Sequence, residues 1–258
     1  MVKPRHYGHI AHTSGKYSTE EIRERYKSGL RLVGNVDSGG MADRAAMCGI
    51  LADIKSRKKY LKFMKYWKFD EKSDPPINEA SMRDDIARMH EIVHFDFLGY
   101  EANNMGRSFA TNLSERYGIR PYLYTTMRAR TKETLQRSDI LDKHQVIVGI
   151  NADRQQGRII LPKIKTPAIQ LLMREFDTYV IKISSGTGNR IYEAEGSNTD
   201  DGVAAFLGAW QFADRHCRGI DVKNEKIVHR NSSANPYPNY IHTPTGAELW
   251  EKIEKGEI

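Results

Sequence analysis

The chain has 258 residues, which is enough for one sizeable hydrophobic core with a short appendage. Its hydrophobic content of 39% and charged content of 28% predict a folded protein with a polar surface, and no apolar run approaches the roughly 20 residues of a bilayer-spanning helix. Two cysteines are too few for a disulfide framework and favour a reducing compartment. The formal net charge of +7 indicates a polyanionic partner, although many basic proteins bind no nucleic acid.

Residues 1–27 are polar and basic, and they predict an N-terminal arm or linker. Within this segment, residues 18–27 are compatible with a short helix because Ser18 and Glu21 have the spacing of a capping box. Nothing in the arm points to catalysis.

The first predicted strand covers residues 31–37 and ends in an aspartate. Its apolar residues form a short run bounded by turn residues, which favours a buried strand over a helix. Asp37 therefore stands at a strand end, where a carboxylate can face a cleft. The glycine pair at 39–40 leaves room beside it for a bulky polyanion. The alternative is an ordinary Asp-Ser-Gly turn in which Asp37 has no functional role.

The pattern that follows predicts an antiparallel meander and then alternating helices and strands. Strands are predicted at residues 45–54, 60–69, 95–100 and 120–125, and helices at residues 77–93, 102–117, 139–153 and 166–176. A β-hairpin formed by residues 177–184 and 190–194 comes next, and residues 202–215 make the last clear helix. Residues 218–258 are weakly patterned and predict a C-terminal tail.

Two more acidic positions stand at the ends of predicted elements. Glu101 follows the strand at 95–100, and Asp200 and Asp201 precede the last helix. Thr199 or an aspartate at a helix start has an ordinary role as an N-cap that complements the helix dipole. One such residue is sufficient for capping, so the adjacent aspartates indicate an additional role.

The order of these elements and the positions of the acids resemble the ribonuclease H-like nuclease fold. The resemblance implies an α/β domain at residues 28–217, with a mixed five-stranded sheet flanked by helices and an added β-hairpin. In that fold the first and fourth strands lie side by side, which would bring Asp37 and Glu101 together. The closing helix would add Asp201 and Asp200 to the same cluster.

Within that superfamily, the sequence particularly resembles the nuclease domain of the large terminase subunit of tailed viruses, the motor that packages and cuts DNA. Residues 36–46 (VDSGGMADRAA), 100–106 (YEANNMG) and 199–206 (TDDGVAAF) look like the three acidic motifs of that family, and the resemblance spans about residues 28–215. It implies a metal-dependent DNA endonuclease that cuts viral DNA during genome packaging in the cytoplasm of the infected host cell. The implied partners are double-stranded DNA, an ATPase motor domain, a portal and a small terminase subunit, with no membrane.

One departure from the family pattern concerns the motor. The full terminase subunit carries an ATPase domain, whereas this sequence contains no Gly-x-x-x-x-Gly-Lys-Ser/Thr phosphate loop. We therefore expect either an excised nuclease domain or a lone nuclease of the same ancestry.

The acidic residues match what phosphodiester hydrolysis requires. Two divalent metal ions can generate a hydroxide at neutral pH and neutralise the charge on the attacking and leaving oxygens. Carboxylates are hard ligands that suit two Mg or Mn ions. The resemblance implies that Asp37 bridges both ions, Glu101 holds one and Asp201 the other, with Asp200 ligating or positioning water. Asp43, which also lies in the first motif, is expected to be a turn or capping residue.

Basic residues after the fifth predicted strand are candidates for contact with nucleic acid. They are Arg128, Arg130, Lys132, Arg137, Lys163 and Lys165. Such residues can follow a phosphate backbone without reading its sequence, but a run of charge is equally compatible with a solvated surface.

Two other functions remain open at this point. The same fold could act on branched or hybrid substrates, as a junction resolvase or an RNA/DNA hybrid nuclease. Alternatively, the chain could be a non-catalytic DNA-binding or docking domain of a packaging complex, with structural acids. A serine or cysteine hydrolase is disfavoured because the sequence contains no Gly-x-Ser-x-Gly nucleophile elbow.

Overall fold

The structure is a computed structural model. It describes residues 18–38, 44–102, 106–126, 139–163, 166–183, 190–195 and 199–219. The basic loop at 127–137 and the predicted tail from residue 220 onward lie outside these ranges.

The described residues form nine strands and six helices. The strands are β1 (Leu30–Asp37), β2 (Arg44–Asp53), β3 (Lys58–Lys68), β4 (Phe97–Glu101), β5 (Tyr122–Thr126), β6 (Ile140–Leu141), β7 (Ile159–Ile160), β8 (Tyr179–Ile183) and β9 (Arg190–Ala194). The helices are α1 (Thr19–Lys27), α2 (Glu79–Val93), α3 (Gly106–Tyr117), α4 (Lys143–Gln155), α5 (Pro167–Thr178) and α6 (Asp201–Cys217). None of these helices combines the length and apolar character needed to cross a membrane.

Seven strands form one mixed sheet in the order β6-β5-β4-β1-β2-β3-β7, and β8 and β9 form the predicted separate hairpin. The meander β1-β2-β3 is antiparallel, whereas β1–β4, β4–β5, β5–β6 and β3–β7 pair in parallel. The prediction of five strands was therefore two short. The additional strands, β6 and β7, have two residues each, which is too short for an alternating pattern. For that reason residues 140–141 were assigned to a helix.

Helices cover both faces of the sheet. On one face, α4, α5 and α6 pack against β1–β5 in a buried cluster that includes Val33 and Leu172. On the other, α2 and α3 enclose a second cluster that includes Leu32 and Met82. Neighbouring residues of β1 therefore enter opposite cores, as the period of two of a strand requires.

The helix α6 lies directly against the centre of the sheet because its contact surface is made of small residues. Gly208 abuts the side chain of Asn35, and Gly99 of β4 abuts both Asn35 and Phe212. The buried Asn35 amide donates hydrogen bonds to the Tyr124 hydroxyl (3.0 Å) and to a backbone carbonyl oxygen in the second turn of α6. One polar side chain thus ties β1, β5 and α6 together.

A buried ionic cluster fixes the other end of α6. The Lys59 ammonium, 2% exposed, lies 2.6 Å from a carboxylate oxygen of Asp153 and 2.9 Å from one of Asp214. The Trp210 indole also donates to Asp153 (3.1 Å). Because a charge left buried without its partner is costly, these contacts hold β3, α4 and α6 in one arrangement.

The helix α1 is packed onto the sheet rather than extended from it. Its predicted capping box between Ser18 and Glu21 is present. Arg25 is buried and donates to the carbonyl oxygens of Val93 and His94 and to the Asp96 carboxylate (3.0 Å). The segment predicted as an arm therefore includes a helix that belongs to the packed domain.

We predict that Gly208→Ala destabilises the protein by about 1–3 kcal/mol, because the added methyl group would overlap the Asn35 amide. Helix propensity alone predicts the opposite sign, a gain of roughly 0.5–1 kcal/mol for alanine over glycine within a helix. Urea unfolding of the two proteins measures the difference. An increase in stability would show that α6 does not press on the sheet at this point.

Candidate active site

Two of the predicted acids end adjacent parallel strands. The β1–β4 register places Val36 beside Tyr100, so Asp37 and Glu101 follow side by side at the carboxyl edge of the sheet. Asp37 is half-buried and Glu101 is buried. The adjacency that the resemblance implied is therefore present in the strand order.

Both carboxylates lie on the face that α6 covers. Asn35 reaches α6 from β1, and Asp37 is two residues further along the same strand. In β4, Phe97 packs on Phe212 of α6 with ring centroids 4.5 Å apart, and Glu101 is four residues further. Side chains two or four residues apart in a strand share a face, so both acids point to the α6 side.

The N-terminus of α6 meets this edge. Its C-terminal residue, Cys217, reaches the Asp53 carbonyl oxygen at the far end of β2, so α6 runs antiparallel to β1. At its beginning, Gly202 lies against the hydroxyl of Tyr66. Tyr66 is connected to Asp37 through the registered row of β3, β2 and β1. The neighbouring Asp201 is thereby carried to the edge where β1 ends.

The electrostatics of two buried tyrosines are consistent with this convergence. Burial raises the pKa of Tyr124, and the negative charges of Glu101 and Asp37 raise it further. Burial also raises the pKa of Tyr179, with contributions from Asp200 and from Asp37. Acids that are distant in sequence thus act on the same small region.

The adjacent aspartates do not perform the ordinary capping role. Asp200 occupies the N-cap position of α6, yet its side chain makes no capping hydrogen bond within the described residues. It lies 3.9 Å from the Lys143 ammonium. The capping acceptor is Glu175 of α5, whose carboxylate receives the backbone N–H of Gly202.

Glu175 was not singled out from the sequence. It is 4% exposed and also accepts hydrogen bonds from Tyr66 (3.1 Å) and Thr199 (3.3 Å). Burial raises its pKa, and the charge of Asp201 adds to the rise. A signal existed in the sequence, because Glu175 continues the buried stripe of Ile169 and Leu172 at a spacing of three. A carboxylate in such a stripe indicates a partner elsewhere in the fold.

The remaining predicted residues add little to the described site. Lys163 is exposed on the segment between β7 and α5. Six residues lie outside the described ranges: Arg128, Arg130, Lys132, Arg137, Lys165 and Asp43. A cleft of about 410 Å³ beside Glu175 is lined by Arg44 and Arg174, among others.

The acids have the donor chemistry of a magnesium or manganese site, since both ions prefer carboxylate oxygens. Within the described ranges, however, no group of three or more histidine, cysteine, aspartate or glutamate side chains is arranged to hold a metal ion. Asp37, Glu101 and Asp201 each have an interaction partner. The backbone thus brings suitable donors to one edge, and holding an ion would require the side chains to turn toward a common point.

Comparisons with known proteins bear on the fold. No family model matches the chain, and no curated protein matches it. The large terminase nuclease of thermophilic phage G20c, solved with bound magnesium, is 13% identical and superposes with a TM-score of 0.51 over 76% of this chain and 84% of its own. The P22 large terminase nuclease domain is 12% identical, with a TM-score of 0.49 over 75% of this chain and 88% of its own.

The full HK97 large terminase is 11% identical over 73% of this chain, with a TM-score of 0.48, and the match spans 42% of its length. The G20c match carries the comparison. At that identity it shows a shared fold, and it confirms the predicted ribonuclease H-like α/β class and the resemblance to terminase nucleases at the level of architecture.

We predict that Asp200→Ala changes the free energy of unfolding by less than about 0.5 kcal/mol, as expected for a residue outside any specific contact. The matched variant is Asp142→Ala, because Asp142 caps α4 by accepting from the backbone N–H groups of His144 (2.9 Å) and Gln145 (3.2 Å). Its loss should cost about 1 kcal/mol. Thermal or urea unfolding compares the two. Equal losses would mean that Asp200 is a structural cap.

Proposed function

We propose that this chain is a divalent-metal-dependent endonuclease that cuts double-stranded viral DNA during genome packaging. The observation that carries the proposal is the convergence of three acids at one edge of a terminase-like fold. Asp37 and Glu101 end adjacent parallel strands on the same face, and α6 begins beside them with Asp201. Carboxylates gathered in this way repel one another, so a functional demand is the simplest reason for the arrangement.

In this proposal Asp37, Glu101 and Asp201 hold two magnesium or manganese ions, and Asp200 ligates an ion or orients water. Bound ions of this kind supply a hydroxide at neutral pH and neutralise charge on a scissile phosphate. The protein's own contribution is rigidity, because two carboxylates sit on central strands and the third begins a helix fixed at both ends. Relief of repulsion by a cation should also stabilise the fold.

The substrate and partners follow from the same proposal. A net charge of +7 favours a polyanion, and Lys163 with the basic residues of 127–137 and Lys165 would contact backbone phosphates without reading sequence. An ATPase motor domain, a portal and a small terminase subunit are the proposed partners, in the cytoplasm of an infected host cell.

We predict that the full chain nicks and linearises supercoiled plasmid with manganese or magnesium and is inactive in EDTA. Asp37→Asn and Asp201→Asn should each lose more than the roughly 10- to 100-fold typical of residues that only support metal ligands. Glu115→Gln removes an exposed carboxylate on α3 and should cut like the parent. Manganese should raise the melting temperature of the parent but not of Asp37→Asn.

Other results would favour the alternative functions. Cleavage limited to branched or RNA/DNA hybrid substrates would indicate a resolvase or hybrid nuclease of the same fold. DNA binding without cutting, in a parent and variants that fold alike, would indicate a docking domain. Cutting that persists in EDTA would contradict the metal-dependent mechanism.

A further inference from the structure

We propose that Glu175 is a positioning residue of this site, which fixes the start of α6 from a neighbouring helix and so leaves Asp200 and Asp201 available to metal ions. The inference rests on the proposed nuclease function for its activity readout. Its structural half, the capping of α6 from α5, stands on the hydrogen bonds alone.

The capping arrangement of α6 differs from that of the other helices. The first N–H groups of a helix lack partners within it and are usually satisfied by the N-cap side chain. Local side chains do this in α1, α2, α4 and α5, through Ser18, Asn78, Asp142 and Thr166. In α6 the acceptor comes instead from Glu175, 27 positions before the helix's second residue, Gly202. A carboxylate there also complements the positive end of the helix dipole.

The contacts of Glu175 bracket the acid pair. One carboxylate oxygen accepts from the Thr199 hydroxyl at 3.3 Å, immediately before Asp200. The backbone N–H of Gly202, immediately after Asp201, is also bound to this carboxylate. The two aspartates are thus held between fixed points without their own side chains being used.

The same carboxylate ties α6 to the sheet. The Tyr66 hydroxyl of β3 donates to Glu175 at 3.1 Å. Any side chain at position 202 would overlap both Tyr66 and Glu175, so the close approach depends on Gly202. Because the Tyr66 row continues through β2 to Asp37, the helix start is registered against the strand that carries the first acid.

These donors also argue that Glu175 is not itself a ligand. It is 4% exposed and receives three hydrogen bonds. An outer partner that orients a ligand typically changes metal affinity or activity by about 10- to 100-fold when it is lost. A ligand's loss should instead match that of Asp201.

The experiment compares the full-length chain with Glu175→Gln, Tyr66→Phe and the double variant. Asp177→Asn is the matched control, since it removes an exposed carboxylate from the same helix. Manganese affinity is measured by electron paramagnetic resonance of the free ion, and kcat and KM are measured on plasmid, at a temperature where circular dichroism shows every variant folded.

Glu175→Gln should weaken manganese binding or kcat by about 10-fold or more and leave KM for DNA unchanged. Tyr66→Phe should lower the same quantity by a smaller factor. The double variant should lose less than the product of the two factors, because both changes break one interaction. Asp177→Asn should stay within about twofold of the parent, the level expected of a surface change away from any contact.

Two results would overturn the inference. One is a Glu175→Gln variant that behaves like Asp177→Asn. The other is complete loss of manganese binding in Glu175→Gln, equal to that of Asp201→Asn and with no effect of Tyr66→Phe, which would make Glu175 a ligand.

If the parent neither binds manganese nor cuts DNA, the nuclease proposal fails, and amide hydrogen exchange decides the structural half on its own. Exchange at residues 201–204 that is about 10-fold faster in Glu175→Gln than in the parent would support capping, since each 1.4 kcal/mol lost from local stability is tenfold. Unchanged exchange would overturn it.

Discussion

The close contact between α6 and the central strands is the constraint on which the rest of the site depends. It requires Gly208 and Gly99 at the points of closest approach and Asn35 as the buried polar bridge. Protein interiors transmit small displacements because they are densely packed. A shift of α6 would therefore move Asp201 relative to Asp37, and the acids would no longer share one edge.

The charges are distributed along α6 in a consistent way. At its C-terminal half, Lys59 neutralises buried acids and locks the helix to β3 and α4. At its N-terminus, acids accumulate without an equivalent buried cation among the described residues, and Glu175 rather than Asp200 satisfies the helix. The fold thus spends its stabilising ion pairs at one end and keeps carboxylates near the other, where a cation would relieve their repulsion.

Local patterns predicted the strand and helix ends that bear Asp37, Glu101 and Asp201, because periodicity and turn residues are short-range signals. The adjacency of β1 and β4 is a property of topology, separated by some sixty positions, and it followed only from the family resemblance. Glu175 was missed because its donors lie on β3 and at the start of α6. The strands β6 and β7 were missed because two residues have no period.

The most direct test of the account is a crystal structure of the full chain grown with manganese, with anomalous scattering used to locate the ions. The account predicts anomalous peaks among the carboxylates of Asp37, Glu101 and Asp201, with Glu175 still bound to Tyr66 and to the start of α6. Saturating manganese with these carboxylates ordered and no peak between them would contradict it.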